Sequence, residues 1–315
     1  MREIVANAVD GMRLTEDAWG PASRWEQGRN WFVLSDYAFH DDKSLPRMKN
    51  HVAGFTAYRT HAGYDETLEF LKKRSPRDLK KTKNPDDVFL TYLASREMFH
   101  YTFVLDRSTK LLRQVLTIDR MEILFHQLAS YAANYPVDEA SIRSHLEKTT
   151  KKLLGLSHYV KQRNANLSHL RQMVLVASYA AACSAHLADI AAPSRTLWVS
   201  DRDAIADIQK GLIFDMAQLL YLNQLSSDKR TMGRTYRTTF HGVVHDSQLD
   251  PLLRIPDFIT GTAADYDFDA RAFSHNKFSP VAERLFMKTS NHAMFYVSTD
   301  GEQIKTERRT LTPSR

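Results

Sequence analysis

The sequence predicts an α/β protein in which a mixed sheet is interrupted by a large helical insertion. Three observations carry this. Short apolar runs close on aspartate, as in Trp31-Phe32-Val33-Leu34-Ser35-Asp36, Tyr101-Thr102-Phe103-Val104-Leu105-Asp106 and Thr196-Leu197-Trp198-Val199-Ser200-Asp201. Such runs, bounded by polar residues, read as buried strands. Helical patterns alternate with them along the chain. The long middle, 110–192, has helical spacing throughout and is rich in Ala, Leu and Gln, with interruptions at Pro136 and Gly155.

Taken in order, residues 1–29 read as polar and irregular, punctuated by Gly11, Gly20, Pro21 and Gly28. A strand over 30–38 follows, and Val52-Ala53-Gly54-Phe55-Thr56-Ala57-Tyr58 reads as its antiparallel neighbour across a turn holding Asp41, Asp42, Lys43 and Pro46. Residues 64–74 have helical spacing through Tyr64, Leu68 and Leu71. Asn84 as N-cap and Pro85 at the first position then begin a helix that runs to about residue 99. The run at 101–106 is a compact strand. The middle reads as three or four helices ending at Pro193, with Met173, Val174, Val176, Ala177, Ala180 and Ala181 on one apolar face. A strand at 196–200, a helix over 204–225, a strand at about 236–245 and a helix beginning near Pro256 complete the core. The tail holds one apolar piece, Ala293-Met294-Phe295-Tyr296-Val297, and residues 305–315 read as disordered. This gives five segments: 1–29; 30–109, the first part of the core; 110–192, the insertion; 193–270, the second part of the core; and 271–315, an extension. The element order (strand with Asp, strand, helix, strand, helices, strand with Asp, helix, helix with Asp) suggests a ribonuclease-H-like fold.

Bulk properties narrow the function classes. The 315 residues are 43% hydrophobic and 25% charged, ordinary values for a globular protein. No apolar run reaches about 18 residues, so no membrane span is expected. The first residues lack a signal-peptide core, which makes the cytoplasm the expected compartment. The single cysteine, Cys183, excludes an internal disulfide and a cysteine-built zinc site. Its Ala-rich surroundings suit a small buried thiol. The 13 histidines form no HExxH pattern, although His241 and His245 alternate onto one strand face. There is no GxSxG elbow and no GxxxxGK[ST] phosphate loop. The net charge is +6, and Lys72, Lys73, Arg74, Arg77, Lys80, Lys81 and Lys83 crowd one short segment. That cluster suits either a solvated loop or contact with phosphates.

Asp36, Asp201 and Asp257 are the candidate metal ligands, with Asp106 and Asp203 in reserve. An acid at a strand tip faces the sheet edge where ligands bind in open α/β folds. Each also has a structural alternative. Asp257 after Pro256 suits the first turn of a helix, where the dipole favours an acid. Asp201 or Asp203 can cap the helix that follows, Asp201 can pair with Arg202, and Asp36 can open a turn. Asp106 ends its own apolar strand and has an equal geometric claim.

Four segments together resemble the bacterial domain of unknown function 3800 family, which is regarded as ribonuclease-H-like. Its opening Asp-Glu-Ser strand matches Asp36 in Ser35-Asp36-Tyr37. Its Glu-Leu-Lys motif matches Asp78-Leu79-Lys80, followed here by Lys81-Thr82-Lys83. Its later strand ending in Asp-Arg matches Val199-Ser200-Asp201-Arg202. Its Asp-Ser element and Gln-x-Ala-Asp-x-x-Ala-Gly match Asp246-Ser247 and Arg254-Ile255-Pro256-Asp257-Phe258-Ile259-Thr260-Gly261. The likeness spans roughly 30–265. The chain departs at Tyr37, where the family has an acid, and at Arg254 and Pro256.

The resemblance implies a metal-dependent nuclease acting on DNA or RNA. Asp36, Asp201 and Asp257 would bind Mg²⁺ or Mn²⁺, hard cations that prefer carboxylate oxygen. Lys80 would sit near the scissile phosphate, with Lys72, Lys73, Arg77, Lys81 and Lys83 along the nucleic-acid backbone. Clustered carboxylates repel unless a cation resolves them, so the three should converge within about 8 Å if they share metal. Tyr37 favours an alternative: a non-cutting protein of the same fold. It would bind nucleic acid through the basic segment, or a protein partner or second copy through the insertion.

Overall fold

Nine strands and ten α-helices are built in the computed structural model, which describes residues 2–13, 30–39, 50–60, 64–75, 79–95, 97–105, 110–200, 205, 207–227, 240–244, 249–288, 291–300 and 303–311. The strands are β1 (Asn30–Ala38), β2 (His51–Arg59), β3 (Met98–Leu105), β4 (Arg195–Ser200), β5 (Phe240–Val244), β6 (Tyr266–Asp267), β7 (Ala272–Phe273), β8 (His292–Asp300) and β9 (Gln303–Arg309). The helices are α1 (Arg2–Arg13), α2 (Tyr64–Arg74), α3 (Asp87–Leu93), α4 (Lys110–Val115), α5 (Ile118–Ala133), α6 (Ala140–Tyr159), α7 (Leu167–Ala191), α8 (Leu212–Ser227), α9 (Asp250–Asp265) and α10 (Phe278–Val281).

Seven strands form one mixed sheet in the order β5-β4-β1-β2-β3-β8-β9, which is the α/β architecture expected. β2 is antiparallel to β1 and β3, while β4 runs parallel to β1 and β5 parallel to β4. β8 lies parallel to β3, and β9 closes that edge antiparallel. The carboxyl ends of β1, β3, β4 and β5 therefore share one edge of the sheet.

Helices cover both faces, so β2 and β3 are buried along almost their whole length. On one face β1 points Trp31 and Val33 into a cluster with α1, α5, α7 and α8. Here Phe103 stacks on Tyr179 at 4.0 Å and 3°, and on Phe295 at 5.4 Å. Leu34 and Ala38 point to the other face, into a cluster with α2, α3 and α9. The insertion consists of α4 to α7, within the expected three or four helices, and its buried residues are continuous with those of the sheet. α7 is long and apolar enough to cross a membrane by composition, but 89% of that window is buried inside the protein. Ala, Ser and Cys183 let it be surrounded closely.

Several boundaries differ from the sequence reading. Residues 2–13, read as irregular, form α1: Ile4, Val5, Ala8, Val9 and Met12 have helical spacing and are all buried. Gly11 is a point of close approach, 3.4 Å from Thr306 Cγ2 for an added Cβ. The helix expected to start at Asn84 starts at Asp87 instead. Its cap is Asp86, whose Oδ1 accepts from Phe89 N at 2.8 Å, and it ends at Leu93 because Met98 already pairs with Tyr58. Gly155 does not interrupt α6; it faces open space. α8 starts at Leu212, after the left-handed residues Gln209, Lys210 and Gly211. α9 starts at Asp250 with Pro251 in its first turn, so Pro256 and Asp257 lie in the helix interior. Residues 305–315 read as disordered, but 305–309 belong to the charged edge strand β9, whose Lys305 and Glu307 pair at 2.6 Å.

Candidate functional site: the carboxyl edge of the sheet

Asp36 lies two residues before the end of β1, opposite Gly54 of β2. Alternation along the strand sends its side chain to the α9 face, with Leu34 and Ala38. The same face carries Asp257. Thr260, one turn after Asp257 on α9, donates its hydroxyl to the Asp36 carbonyl at 3.2 Å. The helix side that presents Asp257 is therefore seated directly on the Asp36 segment. Both residues are half-buried.

Gly54 permits this seating. A Cβ at that position would lie 2.2 Å from Thr260 Oγ1 and 3.6 Å from the Pro256 carbonyl oxygen. Gly54→Ala should cost about 1–3 kcal/mol through overpacking. Thr260→Ala in the same chain should recover part of it, because the two changes meet at one contact. Denaturant midpoints of the four-member cycle measure this; additive losses would show that the contact does not couple them.

Asp257 also organises the basic segment. Its Oδ2 accepts from the Leu79 backbone N–H at 2.7 Å, while Lys277 Nζ donates to the Leu79 carbonyl at 2.7 Å. Arg254 donates to the Ser75 carbonyl, and the Leu79 side chain sits over Gly261, where an added Cβ would be 3.0 Å from Leu79 Cδ2. α9 thus grips the turn Leu79–Lys81 by the Leu79 amide and side chain, while Lys277, just ahead of α10, holds the Leu79 carbonyl. This revises the capping alternative: Asp257 satisfies a donor of a distant turn, not the first turn of its own helix. Asp257→Ala should cost about 1–3 kcal/mol, since the Leu79 amide is left buried without its acceptor. Asp257→Asn keeps an acceptor and should stay close to wild type. Thermal melts distinguish the two, and equal losses would refute the hydrogen-bond account.

Lys72, Lys73, Arg74, Lys81 and Lys83 are exposed beside this turn. Lys72 pairs with Glu69 at 2.7 Å and Arg74 with Asp86 at 3.4 Å. The Lys80 backbone belongs to the turn. Asp78, Arg77, Asp106, Asp201, Asp203 and the Asp246-Ser247 pair lie outside the described residues, as does the side chain of His241. The β1–β4 register ends at Ser35↔Ser200, and Asp36 and Asp201 are the next residues of their chains.

Tyr37 points to the opposite face. Its hydroxyl lies 2.5 Å from Ser35 Oγ and accepts from Ser200 Oγ at 3.2 Å; Trp198 Nε1 donates to Ser35 Oγ at 2.8 Å. This network ties the ends of β1 and β4 together behind the carboxylate face. Sequence reading missed it, although the parallel Ser35-Asp36 and Ser200-Asp201 pairs were its signal. Cys183 takes no part: burial pushes its thiol pKa well up and keeps it protonated.

Among the described residues no group of three or more His, Cys, Asp or Glu side chains is placed to hold a metal ion. The described pair, Asp36 and Asp257, offers the donor chemistry Mg²⁺ uses, since that ion commonly takes one or two carboxylates and fills its remaining positions with water and substrate phosphate. Comparison of the chain with protein-family models, with curated proteins and with solved structures found no match.

Proposed function

We propose that this chain is a ribonuclease-H-like, metal-dependent nuclease that hydrolyses phosphodiester bonds in DNA or RNA at the carboxyl edge of its sheet. The observation that carries the reading is the seating of α9 on β1, with Asp257 one turn from the residue that holds the Asp36 backbone. The fold reading is supported by element order. β1 with Asp36, β2, α2, β3, the insertion, β4 followed by Asp201, α8, β5 and α9 with Asp257 repeat the order expected from the sequence. The likeness to the domain of unknown function 3800 family rests on the same residues.

On this reading Asp36, Asp201 and Asp257 hold Mg²⁺ or Mn²⁺, and Asp106 and Asp203 stand near enough in sequence to strand ends to complete the set. When bound, such a cation would supply Lewis acidity toward a phosphate oxygen and lower the pKa of a water. The carboxylates would hold the ion and orient the attacking water, which would give up a proton to solvent as it adds to phosphorus, while the opposite P–O ester bond breaks and the leaving oxygen takes a proton from solvent. The turn Leu79–Lys81, held by Asp257 and Lys277, delivers Lys80 and the neighbouring basic residues to the phosphate backbone. The test is cleavage of end-labelled single- and double-stranded DNA and RNA. Product in Mg²⁺ or Mn²⁺ that vanishes in EDTA is expected; intact substrate in both metals overturns the nuclease.

The second reading, a non-cutting binder, is favoured by the Tyr37 network, which commits position 37 to hydroxyl contacts. Its protein-binding form is supported by Ile118, Ile123, Ile142 and Leu154, exposed on α5 and α6.

A further inference from the structure

A ladder of aromatic rings runs out of the core at the end of β1. Tyr37 packs edge-on against Phe55 at 6.1 Å, and its hydroxyl is fixed by Ser35 and Ser200. Phe39 stacks on Tyr37 at 6.1 Å and 10°, and His51 stacks on Phe39 at 6.3 Å and 28°. Tyr37, Phe39 and His51 are all half-buried; the inner ring is fixed by its hydroxyl contacts, and Phe39 and His51 keep part of their surface exposed. Phe39 follows Asp36 by three residues, about 10 Å along an extended chain. Its ring lies on the face opposite to Asp36.

We propose that Phe39 and His51 form a base-stacking platform, and that the polynucleotide worked on at this edge is an unpaired strand. The inference rests on the nucleic-acid reading above and adds the substrate class. A nucleotide carries its phosphate and its base on different sides of the sugar. The end of β1 offers a carboxylate to one side and flat rings to the other, so a strand crossing the edge meets both. Stacking on an aromatic ring needs an open base face, which a paired duplex interior does not present. Such stacking is tolerant of sequence, because every base has a π-face. The fixed Tyr37 keeps the platform in place before substrate arrives, which limits the ordering cost of binding.

The test uses the full chain with single-stranded DNA and RNA oligonucleotides carrying 2-aminopurine, whose fluorescence falls when the base stacks, and with matching duplexes. Binding is measured at fixed low salt in EDTA, so that metal-dependent cleavage does not consume the probe. The wild-type chain should quench the single strands and bind them at least about 10-fold more tightly than the duplexes, and Phe39→Ala should weaken single-strand binding by about 10-fold or more. Phe39→Leu keeps apolar volume without a π-face and should behave like Phe39→Ala, while Phe39→Tyr should retain quenching. Equal affinity for duplex and single strand, or quenching unchanged in both Phe39→Ala and Phe39→Leu, overturns the platform even if the chain cleaves in Mg²⁺. Quenching lost in both variants, with no cleavage by the wild-type chain in either metal, supports the platform and removes only the nuclease.

Discussion

Asp36→Asn is expected to lower metal-dependent phosphodiester cleavage by more than about 100-fold while leaving the fold intact. Changes to groups that merely support metal ligands commonly cost 10–100-fold, so loss of a direct ligand should exceed that range. The substitution is nearly isosteric. It leaves the β1 ladder to Gly54 unchanged, and the Thr260 hydroxyl bonds to the backbone carbonyl of residue 36, which the variant keeps. The lost quantity is the negative charge, which strengthens an oxygen ligand's hold on a hard cation. Raising Mn²⁺ should restore part of the rate if affinity is what fails. Single-turnover rates across a Mn²⁺ titration, with unfolding midpoints beside them, measure both quantities. A variant that cuts within about 3-fold of wild type at every metal concentration removes Asp36 from the site.

How much of this was legible in the sequence depended on the range of the interaction. Buried strands and the helical insertion were legible because strand and helix periods are local, and Leu34, Phe103 and Trp198 sit in runs that can only be core. α1 carried the same signal in Ile4, Val5, Ala8, Val9 and Met12, but Gly11 read as punctuation when it is a packing contact. β9 was misread because an edge strand is defended by charges, and Lys305, Glu307, Arg308 and Arg309 look like a solvated tail until β8 supplies the ladder. The start of α9 was misplaced because two prolines, Pro251 and Pro256, compete for the first turn and local rules do not rank them. The contacts that build the site were out of reach. Asp257 and Leu79 are 178 residues apart, and Thr260 and Asp36 are 224 apart. Nothing at Gly54 in sequence says that a helix from the far end of the chain will rest on it. The face of Tyr37, by contrast, follows from strand alternation alone once Asp36 is placed: a neighbour on β1 cannot point the same way.

The folded chain is expected to lose several kcal/mol of stability as the pH falls from about 6.5 toward 4, because two buried histidines are held neutral. His100 of β3 is fully enclosed. Its Nδ1 lies 2.9 Å from Thr56 Oγ1 and its Nε2 2.9 Å from the Leu93 carbonyl oxygen. A carbonyl can only accept, so Nε2 carries the hydrogen and Nδ1 accepts from the Thr56 hydroxyl. Burial lowers the His100 pKa to about 4, against the partial opposition of the Leu93 bond. His292 is its register partner on β8, with ring centroids 6.4 Å apart. It bonds to Thr102 at 2.9 Å and lies against Phe286 at 4.1 Å. Burial holds its pKa well below the usual imidazole value, with His100 and Arg308 pushing the same way. In the unfolded chain both rings titrate near 6.5. Above that pH neither state is protonated, and the full stability is present. Below it the unfolded chain takes up two protons that the folded chain refuses, so stability falls with pH until the folded rings titrate as well. The depression of His100 alone is worth roughly 3 kcal/mol across this window, a large share of a typical total of about 5–15 kcal/mol. Urea midpoints between pH 7 and 5 isolate the effect, because most carboxylates titrate lower. The wild-type slope should approach two protons at the acid end of that range. His100→Gln and His292→Gln should each flatten it by about one proton, whatever they do to stability at pH 7. A pH dependence that neither variant changes would place the acid sensitivity elsewhere in the chain.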